Sequence, residues 1–147
     1  MYKHLLIPTD GSKLADKAVQ AGIEFARDAN ARVTAFTAMP TFPMPSRAEL
    51  FSGKFEHIEK YEERTLAKGE KLLERIAQRG RDAGVEVKCD VALSDTPYAA
   101  IIDAALRNGC DLIFMASHGR GGIQEWLHGS QTHEVLTHSK IPTLVYR

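Results

Sequence analysis

Residues 111–132 read Asp-Leu-Ile-Phe-Met-Ala-Ser-His-Gly-Arg-Gly-Gly-Ile-Gln-Glu-Trp-Leu-His-Gly-Ser-Gln-Thr, and this stretch decides how the chain is interpreted. It begins as a buried apolar strand, continues into a glycine-rich segment and ends on a Gly-Ser pair typical of a helix start. Glycines let backbone N–H groups approach an anion, and a helix N-terminus presents unpaired donors and the positive end of its dipole. The arrangement is typical of a phosphate-binding site.

The spacing within this stretch is Ala116-x2-Gly119-x9-Gly129-Ser130. The common phosphate-binding loops instead end on Gly-Lys-Ser/Thr or place Gly-x-Gly-x-x-Gly after the first strand. Neither pattern occurs in this chain. The glycine spacing therefore indicates a different kind of phosphate loop.

Outward from this stretch, short apolar runs alternate with segments of helical periodicity, which is the pattern of parallel strands joined by crossover helices. Helices are predicted from Ser12, along the charged segment before the third strand, from Thr96-Pro97 to Asn108-Gly109, and from Ser130 to Ser139. The sequence thus predicts an α/β fold with a five-stranded parallel sheet, strand order 3-2-1-4-5, and helices on both faces. The predicted strands are residues 4–9, 31–39, 85–93, 111–117 and 141–146.

Residues 40–55 form the one stretch whose prolines and mixed polarity argue against regular structure. We expect a mobile loop here, whose aromatic and Met side chains could cover a ligand. An insert that packs on its own helix is an equally good interpretation of a loop of this length.

In this strand order, ligands are expected at the carboxyl ends of the strands, near the switch point between the first and fourth strands. Two segments fall there, Pro8-Thr9-Asp10-Gly11-Ser12 and Met115 to Gly122. Asp10 is ordinarily a turn or N-cap residue, but beside an anion site its carboxylate could accept a ribose hydroxyl or hold an Mg²⁺ ion that bridges phosphates. Ser130 is likewise a helix cap by default, and it would face a phosphate if the preceding segment folds over the strand ends.

Length and charge exclude several classes of protein. A chain of 147 residues is expected to form one domain, residues 1–147. With 19 basic and 19 acidic residues, no overall field favours nucleic acid or an anionic membrane. No apolar run reaches membrane-spanning length, and the apolar run in the first ten residues is too short for a signal peptide. We therefore expect a cytoplasmic protein. Cys89 and Cys110 lack metal or redox spacing and are interpreted as small hydrophobes.

Nearly the whole chain resembles the universal stress proteins, in the branch that binds adenine nucleotides. The family pattern is Gly-x2-Gly-x9-Gly-Ser/Thr, which is matched by Gly119, Gly129 and Ser130, while Ala116 stands in place of the first glycine. The start Ile-Pro-Thr-Asp-Gly-Ser and the end Ile-Pro-Thr-Leu-Val-Tyr are also similar. The resemblance implies a Rossmann-like fold of the adenine nucleotide alpha hydrolase-like type, with ATP or AMP as ligand.

Carried over position by position, the resemblance implies a role for each matching residue. Thr9 and Asp10 would lie by the ribose and phosphates, and the backbone of Ala38 would contact adenine. Met115 and Ala116 would border the base and sugar. The phosphates would lie between Gly119-Arg120 and the segment 129–132. Together with the two segments at the switch point, the candidate nucleotide-binding residues are Pro8, Thr9, Asp10, Ala38, Met115, Ala116, His118, Gly119, Arg120, Gly122, Gly129, Ser130, Gln131 and Thr132.

Other constellations are weaker. Residues 115–119 resemble a nucleophile elbow, but Met115 occupies the place of its first glycine. A phosphoacceptor receiver domain needs an Asp at the end of the third strand, where Leu93-Ser94 stands. His128, His133 and His138 recur every five residues, about 140° apart on a helix, and so cannot share a metal.

We therefore expect a cytoplasmic stress-response regulator that binds ATP or AMP, with the stress role implied by the resemblance alone. Nucleotide phosphates would order the segment from Gly119 to Ser130 and change a surface that another protein reads. The alternatives are a slow ATPase or phosphotransferase that uses the same pocket, and a nucleotide-free dimerisation module. A homodimer through Ile141–Tyr146 is also expected, because this strand lies at a sheet edge and is apolar on both faces.

Overall fold

The computed structural model describes residues 1–53, 57–117 and 129–147. All five strands are parallel, in the order β3-β2-β1-β4-β5, which confirms the predicted fold class. In chain order the elements are β1 (His4–Pro8), α1 (Lys13–Asp28), β2 (Arg32–Met39), α2 (Arg47–Ser52), α3 (Ile58–Ala83), β3 (Val87–Leu93), α4 (Pro97–Arg107), β4 (Leu112–Ala116), α5 (Gly129–His138) and β5 (Thr143–Tyr146).

The sheet separates two apolar cores, because alternate residues of a strand face opposite sides. Leu6 and Phe36 belong to one core, which Ile101 of α4 and Val135 of α5 complete. The second core joins the opposite faces of the central strands to α1 and α3, through Leu5, Ile7, Val33, Val19, Ile23, Leu73 and Ile76. Helices therefore cover both faces, as predicted. Within the described part of the chain, no helix is long and apolar enough to cross a membrane.

The expectation that residues 40–55 lack regular structure is wrong for α2. Ser46 Oγ accepts a hydrogen bond from Glu49 N at 3.2 Å, and Glu49 Oε2 accepts one from Ser46 N at 2.6 Å. This reciprocal capping box starts a helix immediately after the last of the prolines. Before it, Phe42 packs edge-on against Tyr61 of α3 at 5.4 Å between ring centroids, which favours the interpretation of an insert packed on its own helix.

Two strands begin two residues later than predicted, each for a local reason. Val85 N donates to Gly80 O at 2.8 Å, so this residue still belongs to the end of α3, and β3 begins at Val87. Ile141 N donates to Ser139 Oγ at 3.0 Å in a tight turn, and Pro142 has no N–H to donate to a ladder, so β5 begins at Thr143. The other strand ends agree with the prediction within one residue.

Candidate functional site

The carboxyl ends of β1 and β4 form the topological switch point of the sheet. The ladder between these two strands covers only the pairs Leu5–Leu112 and Leu6–Ile113. Both strands continue past it, β1 to Pro8 and β4 to Ala116. The strands therefore extend side by side without ladder pairs where a doubly wound sheet binds its ligands.

The turn between β1 and α1 is held by hydrogen bonds within the turn and by one to the neighbouring strand β2. Thr9 is 2% exposed, its N–H donates to Phe36 O at 2.8 Å, and its hydroxyl accepts from Gly11 N at 3.1 Å. Gly11 has φ +79°, a backbone conformation that residues with a side chain rarely adopt. Asp10 Oδ1 accepts from Ser12 N at 2.9 Å, and Ser12 caps α1 through Ala15 N. The Asp10 carboxylate is thereby fixed, half-buried, at the mouth of the switch point.

On the other side of the switch point, α5 is attached to the end of β4. Thr132 is buried, and its Oγ1 donates to Ala116 O at 2.9 Å. Met115 and Ala116 are fully buried, and Ser117 N donates to Tyr146 O at 2.9 Å, so β5 also holds the end of β4. The first turn of α5, with Gly129 and Ser130, is therefore fixed beside the end of β4. Four candidate residues lie outside the described ranges: His118, Gly119, Arg120 and Gly122.

Gln131 has a contact that the sequence does not indicate. Its Oε1 accepts a hydrogen bond from Tyr98 N, in the first turn of α4, at 2.9 Å. The side chain of Gln131 is thus directed to a neighbouring helix, and the residue is half-buried.

Ala38, the residue proposed beside the base, is 3% exposed near the end of β2. The backbone just beyond it is tied to the turn after β3. Ser94 N donates to Met39 O at 2.9 Å, and the Asp95 carboxylate accepts from both the hydroxyl and the N–H of Thr41, the latter at 3.1 Å. These bonds hold the pKa of the Asp95 carboxyl below its usual value.

Thr41, Asp95 and Tyr98 were missed by the sequence analysis. A signal was available for the last two, because they follow the third strand, which neighbours the second in the predicted order, so their segment reaches the same edge of the sheet.

In the described ranges, the side chains give no sign of a preformed metal centre or a reactive thiol. Among the described residues, no three His, Cys, Asp or Glu side chains are grouped to hold a metal ion. Cys110 is buried, which raises the pKa of its thiol to about 11, and burial also raises the pKa of Cys89. Both are free cysteines, in agreement with their interpretation as small hydrophobes.

A doubly wound parallel sheet with a helix start fixed at its switch point defines a small Rossmann-like α/β protein. The model of the universal stress protein family matches residues 1–147. The chain therefore belongs to the universal stress protein family, and the resemblance read from the glycine spacing is confirmed.

Individual relatives agree with this assignment. The chain is 29% identical over 157 residues to universal stress protein MJ0577 of Methanocaldococcus jannaschii, with 100% of this chain and 96% of that protein covered. The solved structure of MJ0577 superposes with a TM-score of 0.76 at 28% identity, covering 99% of this chain and 95% of that chain.

Two further solved structures share the fold. A universal stress protein in complex with cAMP superposes with a TM-score of 0.71 at 23% identity, covering 99% of this chain and 97% of that one. A family protein from Arabidopsis thaliana with AMP bound superposes with a TM-score of 0.66 at 15% identity, covering 97% and 90%.

Proposed function

We propose that this chain is a single-domain cytoplasmic regulator of the stress response that binds an adenine nucleotide at the switch point between β1 and β4. The observation that carries the proposal is the hydrogen bond from Thr132 Oγ1 to Ala116 O at 2.9 Å. It holds the first turn of α5 at the end of β4. The first N–H groups of this ten-residue helix therefore lie at the ligand-binding edge of the sheet.

Two observations support this ligand class: the ligands of solved relatives and the chemistry of the sheet edge. cAMP and AMP, which two of the structural neighbours carry, share adenine, ribose and a phosphate. The hydrogen-bonding groups at this edge fit a nucleotide. Gly129 and Ser130 carry N–H groups and a hydroxyl that can donate to phosphate, and the Asp10 carboxylate can accept from ribose hydroxyls. In this proposal adenine lies against the backbone of Ala38 near the end of β2, as the family resemblance implies.

Several members of the proposed site remain predictions from the sequence alone. Gly119 and Arg120 would approach the phosphates from the side opposite α5, with His118 and Gly122 nearby. Should Mg²⁺ accompany the phosphates, Asp10 is the residue that would hold it, because the bond from Ser12 N fixes the direction of its carboxylate.

Regulation by occupancy needs no turnover, since a bound nucleotide only has to change a surface that a partner recognises. The alternative of a slow ATPase or phosphotransferase would need a group that orients water or an acceptor. Asp10 is the carboxylate in the candidate set that could do so. Incubation with ATP and Mg²⁺ should leave ATP intact, and sustained phosphate release that is lost in Asp10→Asn would favour the enzyme.

The binding site is tested by removing one hydroxyl at each end of α5. Ser130→Ala should weaken AMP binding about fivefold, the factor expected for one neutral hydrogen bond. Thr137→Ala is the matched control, because its hydroxyl bonds His133 O at 2.9 Å near the distal end of the same helix and should leave affinity unchanged. Calorimetric titration gives both affinities.

A wild-type protein that binds neither AMP nor ATP, and that releases no nucleotide when freshly purified protein is denatured and chromatographed, would overturn the proposal. Equal AMP affinity in the wild type and Ser130→Ala would show that the phosphate does not bind at the start of α5.

A further inference from the structure

The N-terminus of α4 lacks the cap that its own sequence should provide. Thr96 occupies the N-cap position, but its φ and ψ are −120° and 79°, and its side chain makes no cap hydrogen bond. The N–H of Tyr98, in the first turn, is one of the donors that a cap normally satisfies. Gln131 Oε1 accepts from this N–H at 2.9 Å, although it is 33 residues away in the chain.

We propose that Gln131 is a positioning residue, which caps α4 from α5 and thereby fixes the first turn of α5 for the ligand. The ligand part of this inference rests on the proposed function. The capping part does not, since it concerns two helices of the protein alone.

Three further contacts show that Tyr98 and Gln131 belong to one connected set. The Tyr98 ring stacks on His138 at 5.3 Å between centroids and 26° between planes, so Tyr98 contacts both the first and the last turn of α5. His138 Nε2 is in turn 3.0 Å from Glu134 Oε2 on the same helix. Thr132, the neighbour of Gln131, bonds Ala116 O. The start of α5 is thus held against both β4 and α4.

The same connection reaches the base side of the proposed site. The residues just before α4 are fixed by Ser94 Oγ, which accepts from Thr96 N at 3.1 Å, and by the Asp95 carboxylate, which accepts from Thr41 N. The start of α4 therefore joins the segment after β2 to the first turn of α5. Because coupling between a ligand and a contact is reciprocal, a ligand held by α5 should in turn strengthen the cap on Tyr98.

The experiment follows the hydrogen exchange of the Tyr98 amide by NMR, first without ligand. Gln131→Leu keeps the size of the side chain and removes its acceptor, so exchange protection at Tyr98 should fall about fivefold, the loss expected for one hydrogen bond. Gln131→Glu keeps an acceptor oxygen and places a negative charge at a helix start, so protection should be retained. Thr96→Ala is the control at the nominal cap position, and it should leave protection unchanged.

The second arm adds AMP. Protection at Tyr98 should rise in the wild type, and Gln131→Leu should bind AMP more weakly and show no rise. Unchanged Tyr98 protection in ligand-free Gln131→Leu would overturn the inference, and a loss of AMP affinity alongside it would identify Gln131 as a direct phosphate contact. If the wild type does not bind AMP, the proposed function fails, and the ligand-free comparison still decides whether Gln131 caps α4.

Discussion

His4 is a buried histidine whose surroundings favour the neutral ring. Its Nε2 forms a hydrogen bond of 2.7 Å with Thr34 Oγ1, and Nδ1 has no hydrogen-bond partner among the described residues. Burial lowers the pKa of His4 below its ordinary value of 6.5, and the nearby charges of Arg32 and Lys88 lower it further. A proton on this ring would therefore be unfavourable in the folded protein.

Two carboxylates act in the opposite direction without reversing the shift. Asp111 and Glu86 both raise the pKa of His4. Asp111 itself accepts hydrogen bonds from Lys3 N at 2.9 Å and from His4 N at 3.0 Å. Burial alone would raise the pKa of Asp111, but these bonds bring it below its ordinary value of 3.8.

The first prediction is a loss of stability in mild acid that depends on His4. Because its pKa is lower in the folded state, the unfolded chain binds more protons, so stability is complete above the ordinary pKa of 6.5 and falls as the pH drops below it. His4→Gln keeps a polar group near Thr34 and removes the titration. Denaturant unfolding at about pH 7.5 and about pH 5.5 should show a smaller loss in the variant than in the wild type.

All other residues are the same in the two proteins, so the difference between their pH dependences isolates His4. The Asp111 contribution is lost only at lower pH, below about 3.8, and does not overlap. Parallel pH dependences of wild type and His4→Gln would contradict the assignment.

At the scale of an element, α3 packs on the sheet through glycines that permit a close approach. A Cβ at Gly80 would lie 2.2 Å from Val87 Cγ2 and 3.0 Å from the backbone oxygen of Val85. A Cβ at Gly69 would lie 2.6 Å from Val91 Cγ1 and 3.2 Å from Met39 Cγ, and the three atoms nearest to it all belong to side chains.

We therefore expect Gly80→Ala to destabilise the protein by about 1–3 kcal/mol through overpacking. This exceeds the ~1 kcal/mol that alanine gains over glycine in a helix interior. Gly69→Ala should cost less, because the Val91 and Met39 side chains can shift while the Val85 backbone cannot. Urea unfolding measures both changes, and a Gly80→Ala protein more stable than the wild type would show that α3 does not pack this closely.

The elements were predictable where their signals are local. Ser12 and the Pro97 start of α4 marked helix beginnings correctly, and the apolar runs located every strand. The start of β3 was misjudged because Val85, although apolar and β-branched, is held by the end of α3. Helix α2 was missed because its capping box was outweighed in the sequence by neighbouring prolines.

The candidate site shows the same division. Asp10 and Ser12 could be placed from a strand-to-helix turn that the sequence spells out. The Tyr98–Gln131 and Thr41–Asp95 contacts join residues 33 and 54 positions apart, and no local pattern encodes them. They arise because the parallel fold brings several strand-to-helix turns to one edge of the sheet.

At the scale of the whole molecule, the two edges of the sheet differ. Along β3, Asp90 accepts a hydrogen bond from Asn108 Nδ2 at 2.8 Å and pairs with Arg107 at 3.2 Å, while Lys88 bonds Asn108 at 3.0 Å. Charges of this kind discourage pairing with another sheet. Along β5, the residues Thr143–Tyr146 are half-buried and uncharged, and no described strand pairs with the outer side.

The backbone of β5 presents alternate residues to the outside. Ile113 N donates to Pro142 O and Ser117 N donates to Tyr146 O, both at 2.9 Å. In a parallel ladder, the N–H and C=O groups of alternate residues of a strand point to opposite sides. Residues 142, 144 and 146 direct these groups towards β4. The N–H groups of Thr143 and Val145 therefore point outward, where a second chain could pair with them.

The last prediction is that two chains pair through these outer edges as a homodimer, with their β5 strands antiparallel about a twofold axis. Val145→Pro removes an outward N–H and leaves the bonds to β4 in place, so it should yield a folded monomer. Val145→Thr keeps the N–H and the shape of the side chain, and it should remain dimeric. Light scattering should give the wild type and Val145→Thr twice the chain mass of 16.3 kDa. A wild type that is monomeric at micromolar concentration would contradict this assembly, and a Val145→Pro protein that stays dimeric would place the interface on another surface.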